Sequence, residues 1–361
     1  MKNDNTIQTL FQYAADYRFC EFDMLFSQME ADLPPDAFFE AYLLRAQIKL
    51  YTTDLTLLAD LRKAEAIGGT PRFPLLKSKW KGDSPNRFIA FPSAPGALKA
   101  FLDSLPQIQD KLSLWYGAQG HIAARQIEYE IYYFMGKTEK ARALAAEQYT
   151  SEAKNNEDAI WALITQYRCN LALAAPQKAE ENMFDIIRYA KAYPECVDIY
   201  KTFRAWVNLT TGWNGDSLRF YEDEEGQKQP IFKDRLEGIK MGIARTTSSE
   251  TPFVAYAEHS YTGALMLRQI YMMVFHAMYW LSMNDCKLGE SYFIKTYEIV
   301  QASGIVMPFI ESGEQVMPLL NYVKEKAISC PPDWLEDMTA RVMQYEECLR
   351  LYRSESDCQS K

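Results

Sequence analysis

The chain has 361 residues, 48% hydrophobic and 24% charged, which is a globular composition and excludes a disordered or fibrous polymer. A net charge of −9 argues against wholesale binding of a nucleic-acid backbone. Seven cysteines, odd in number and without a C-x-x-C pair, exclude a disulfide framework or zinc site and point to a reducing cytoplasm.

Taken in order, the first five residues carry no apolar signal core, so secretion is not expected. Thr6–Tyr17 and Cys20–Ala31 read as short amphipathic helices, broken by Pro34-Pro35. Asp36–Tyr51 carries Phe39, Tyr42, Leu43, Ala46 and Leu50 on one stripe, and Asp54–Ile67 pairs with it before Gly68-Gly69. These helices form an N-terminal unit, residues 1–69.

Residues 70–96 differ. Pro71, Pro74, Pro85, Pro92 and Pro95 forbid a continuous helix. The apolar runs on either side of Lys81-Gly82-Asp83-Ser84 predict a β-hairpin. Thr70–Lys99 holds six basic residues and one acidic. It is either a contact site for an anionic group or a solvated insertion whose aromatics pack on the helices.

Residues 97–302 carry the organising pattern. Leu98–Tyr116 gives one or two helices. Gly136, Ala174 and Gly212 then end apolar runs at intervals of 38 residues, each followed five residues on by Ala141, Ala179 or Ser217; Asn284 and Gly289 repeat the mark. Two helices per 38 residues predict an all-α, right-handed array of helix hairpins, each burying its apolar face against the next. The pairs are His121–Met135 with Lys137–Thr150, then Asp158–Leu173 with Pro176–Tyr193, then Glu195–Thr211. Beyond lie a turn at Trp213–Asp216, an acidic run at Glu222–Glu225 and a helix over Pro230–Arg245. Phe253–Met283 is expected to break at Gly263, and Cys286–Ala302 is the last return helix. Ala264–Met283 is the most apolar segment, but Arg268, Gln269 and His276 make it a core helix rather than a membrane span. Residues 303–361 supply two shorter capping helices and a polar tail.

Catalytic signatures are weak. Gly136-Lys137-Thr138 resembles the end of a phosphate-binding loop, but the required earlier glycine is Ile131 and the preceding run is helical. The three histidines (121, 259, 276) lie in no metal-type spacing, and no nucleophile elbow is present. No catalytic residue, cofactor or metal is expected.

The two-helix unit is similar to the tetratricopeptide repeat, with Tyr132 at its aromatic position. More specifically, Tyr116-Gly-Ala-Gln-Gly-His121 and Ser303-Gly-Ile-Val-Met-Pro-Phe-Ile-Glu-Ser-Gly313, followed by Pro318-Leu-Leu320, resemble segments of the sensor array of MalT-like, LuxR-type transcription regulators. The resemblance implies an array that binds a small inducer or a partner protein, between an ATPase domain and a DNA-reading helix-turn-helix. Neither flanking module is visible, so the chain reads as an excised sensor region or a stand-alone relative, without direct nucleic-acid binding. A free-standing adaptor that binds a protein segment is the rival reading.

In such an array the first helix of each pair lines the binding wall. The register places Gln126, Glu130, Tyr133, Trp161, Arg168, Thr202 and Trp206 there. Glu130, Arg168 and Trp206 form a row 38 residues apart, suited to a small polar ligand or an extended peptide. The plainer alternative is a row satisfied internally, with Glu130 paired to Arg168 and both tryptophans in the core.

Overall fold

The computed structural model describes residues 2–15, 18–29, 34–76, 87–151, 154–197, 199–201, 203–204, 207, 264–328 and 330–359. Over these residues the protein is all-α apart from one two-stranded sheet. The N-terminal helices are α1 (Lys2–Ala15), α2 (Phe19–Met29), α3 (Pro35–Tyr51) and α4 (Leu57–Ile67). The central ones are α5 (Ala97–Tyr116), α6 (Ala118–Phe134), α7 (Thr138–Thr150), α8 (Asn156–Ala172) and α9 (Pro176–Ala192). After strand β2 (Ala264–Met266) follow α10 (Leu267–Ser282), α11 (Cys286–Ser303), α12 (Met307–Ile310), α13 (Met317–Glu325) and α14 (Pro332–Gln359). Strand β1 (Ala90–Pro92) lies between α4 and α5. No described helix is long and apolar enough to cross a membrane.

The marks read from the sequence share one backbone geometry. Gly136, Ala174 and Asn284 all adopt left-handed φ values, of 70°, 53° and 61°. At each, the next amide donates five residues back: Lys137 to Tyr132 O, Ala175 to Asn170 O and Asp285 to Trp280 O, at 2.8–2.9 Å. These are Schellman closures, which satisfy the last carbonyls of a helix by reversing the chain. Gly136-Lys137-Thr138 is therefore a helix turn. Ala141, Ala179 and Gly289, five residues on, are all buried against the preceding helix. Consecutive helices α5 to α9 each pack on the next, as do α10 and α11. The α5–α6 turn is tighter: a Cβ on Gly120 would lie 2.7 Å from the Leu112 carbonyl carbon, so α6 approaches α5 only because that side chain is missing.

The described residues of the proline-rich stretch, 70–76 and 87–96, form no helix, and those from Arg87 to Phe91 make a strap. Residues 77–86 lie outside the described residues, and with them the turn of the expected hairpin. β1 pairs antiparallel with β2, Ala90 opposite Met266, so the strand has a partner about 175 residues further along the chain. The break expected at Gly263 lies outside the described residues; just after it the chain is strand β2, and α10 begins at Leu267. Phe88, Ile89, Ala90 and Phe91 are fully buried, which is the packing outcome for the insertion. Its backbone amides are met by side chains. Glu40 accepts from Arg72 N–H, Gln47 from Leu76 N–H at 2.6 Å, and Glu130 from Phe88 N–H at 2.7 Å. An irregular segment can lie inside a core only when its polar groups find such partners.

At the other end, Leu98–Tyr116 forms a single helix although Pro106 is inside it. Pro308 and Pro318 stand in the first turns of α12 and α13, and Gly304 caps α11 in the left-handed region, as those residue types favour. Phe309 is fully buried. The expected polar tail is helical instead, since α14 runs on to Gln359 with no proline or glycine to stop it. The turn at 213–216, the acidic run at 222–225 and the helix over 230–245 lie outside the described residues, as do Gly212 and Ser217.

Candidate functional site

Gln126, Glu130 and Tyr133 lie at i, i+4 and i+7 on α6, hence on one face; Trp161 and Arg168 share a face of α8 in the same way. The structure buries all five, with Gln126 on Glu130 and Arg168 over Tyr133. Thr202 and Trp206 lie outside the described residues. Two segments cover the row: the strap at Arg87–Phe91 and the stretch from Ile305 to Ser312, whose Val306 amide donates to Phe134 O at 2.8 Å.

Under the strap, the Glu130 carboxylate accepts the Phe88 amide and, at 2.8 Å, the Gln126 side-chain amide. Among the described residues it has no cation at ion-pair distance. Arg87 turns instead toward Asp158, Nη2 to Oδ1 3.8 Å, while Asp158 closes a capping box with Asn155 at the start of α8. Burial disfavours a lone carboxylate, and the two hydrogen bonds and the more distant Arg87 and Arg168 only partly offset it; Glu130 is pushed up to about 7. Burial works against the charge on Arg87 too, but Tyr51, Asp158 and Glu130 outweigh it and the guanidinium is held above its ordinary value. Tyr51, which donates to Leu76 O, is pushed up to about 12 by burial.

The second half centres on Glu311. Arg168 donates to its Oε1 from Nε (3.2 Å) and Nη2 (2.9 Å), Tyr133 donates to the same oxygen, and Tyr271 donates to Oε2. The guanidinium also lies over the Tyr133 ring, 4.4 Å from its centroid, and over Phe134 at 5.1 Å. Burial alone would lower Arg168, yet Glu311, Tyr133 and Tyr271 carry it well above its ordinary value. One carboxylate thus joins α6, α8, α10 and the segment after α12.

The two described members of the row that carry charge have partners from other segments: Arg168 holds Glu311, and Glu130 holds the strap. Sequence reasoning missed Arg87, Asp158, Tyr271 and Glu311 as members. Arg87 was visible only as one of six basic residues, and Glu311 as a letter in a motif. Both arrive through contacts between distant stretches, Arg168 and Glu311 being 143 residues apart. His276 stacks on Tyr292 with ring centroids 4.7 Å apart, and burial lowers it to about 4, which fits a core histidine. Among the described residues no group of His, Cys, Asp and Glu could hold a metal ion. On the outside of α9 lies an open groove of about 480 Å³ lined by Phe184, Ile187, Arg188, Lys191 and Ala192.

No known family model matches the chain, and no curated protein matches it.

Proposed function

We propose that the chain is the non-enzymatic sensing or protein-interaction region of a LuxR-type transcription regulator, a right-handed, tetratricopeptide-like array working in the cytoplasm. The observation that carries this reading is the place of the segment Ser303–Gly313. It resembles those regulators in sequence, and it lies across the row on α6 and α8 with Glu311 in contact with Arg168. A segment that closes over the row is suited to report what binds there. A small inducer or partner that brings a carboxylate or phosphate to Arg168 competes with Glu311 for the same guanidinium. Deleting the coding sequence and profiling transcripts tests the reading. A defined set of transcripts should change and return on re-expression; an unchanged profile removes the regulator.

The α9 groove favours the second reading, a stand-alone adaptor. Phe184 is 58% exposed beside Arg188 and Lys191, a combination suited to a partner segment with apolar and acidic residues. On that reading Lys191→Glu and Phe184→Ala release co-purifying partners, while transcript levels stay constant.

A further inference from the structure

Glu130 is a buried carboxylate with an unusual task. It is 2% exposed, and it holds the Phe88 amide of the strap. The titratable and charged groups around it are few. The strap brings Arg87, α6 itself brings Tyr129, α3 brings Tyr51, and α8 brings Asp158 and Arg168. Among the described residues neither cation reaches it at ion-pair distance: Arg87 points its Nη2 toward Asp158 at 3.8 Å and leaves Nε and Nη1 without hydrogen-bond partners, and Arg168 is engaged by Glu311. We propose that Glu130 is a proton-operated latch: neutral, it keeps the Arg87–Phe91 strap seated on α6, and ionised, it favours release of the strap into water.

The physical reason is the cost of burying an unpaired negative charge, which the seated state bears and the released state does not. A neutral Glu130 is well accommodated. Its second partner, Gln126, has a side-chain oxygen without a hydrogen-bond partner, and a flipped Gln126 amide can present that oxygen to the carboxylic O–H. Phe88 keeps the other oxygen. The sign follows from linkage. The seated carboxyl titrates at about 7 and the released one at the usual 4.5, so the seated state binds the proton more tightly. Stability of the seated strap is full below about 4.5, falls as pH rises to about 7, and is constant above.

Hydrogen exchange at the Phe88 and Ile89 amides, corrected for intrinsic rate, tests the latch in the whole chain. Protection should fall about tenfold per pH unit between 4.5 and 7, about 300-fold in total, then level off. Core amides of α8, such as Ile164, should not follow. In Glu130→Gln the profile should be flat. A sloping profile in Glu130→Gln overturns the proposal, as does equal loss of protection throughout α8, which would mean global unfolding. Should the variant not fold, the carboxyl carbon-13 resonance of Glu130 in the wild-type chain decides: a midpoint near 7 supports the latch, and one near 4.5 ends it.

Discussion

Replacing Glu311 by Gln keeps the side chain's size and removes its charge. Arg168, its side chain only 4% exposed, would then lose the carboxylate that holds it, and Tyr133 and Tyr271 would face one acceptor oxygen in place of two. Breaking a buried ion pair from one side costs about 3–5 kcal/mol, and a tyrosine hydrogen bond weakened by loss of the charged acceptor adds about 1 kcal/mol. The expected loss of about 4–6 kcal/mol is a large part of the 5–15 kcal/mol by which domains are usually stable. Urea unfolding should show it as a lower midpoint at unchanged slope. Arg168→Met should cost a similar amount, leaving the Glu311 carboxylate buried without the guanidinium. The double variant, Arg168→Met with Glu311→Leu, removes both charges and should be more stable than either single change by about 2 kcal/mol or more. Single changes costing under about 1 kcal/mol would show that water reaches the pair. Additive losses in the double variant would show that the two groups do not interact. Either result refutes the account of this node.

Three further expectations rest on separate parts of the fold. Ala174 holds a left-handed conformation that strains a Cβ, so Ala174→Gly should stabilise the chain by about 0.5–1 kcal/mol; a destabilised variant in thermal unfolding counts against the Schellman closure there. Gly120→Ala drives a methyl into the Leu112 backbone and should cost about 1–3 kcal/mol, whereas an unchanged melting temperature means the helices are further apart than described. Phe309 is fully buried, with its ring 5.8 Å from Trp334 and 6.3 Å from Phe293; Phe309→Ala should cost about 3–5 kcal/mol in chemical denaturation, and a near-zero change would move Phe309 from core to binding surface.

The helical class and the hairpin turns were legible in the sequence because their causes are local. A residue that ends one helix by reversing the chain, and a small residue five positions on where the next helix packs, need only near neighbours in sequence, so Gly136, Ala174 and Asn284 disclosed their geometry by spacing alone. The face shared by Gln126, Glu130 and Tyr133 followed from helical periodicity in the same way. What covers that face did not follow. The strap's strand has a partner at Ala264–Met266, a pairing that depends on where α10 is carried by the rest of the chain. Glu130 and Arg168 look complementary at 38 residues' spacing, yet each is claimed by a group from another segment. Burial makes every hydrogen-bonding group compete for a partner in three dimensions, and which acid reaches Arg168 is decided by the path of residues 305–313 over α6 and α8, something no periodicity along the chain encodes.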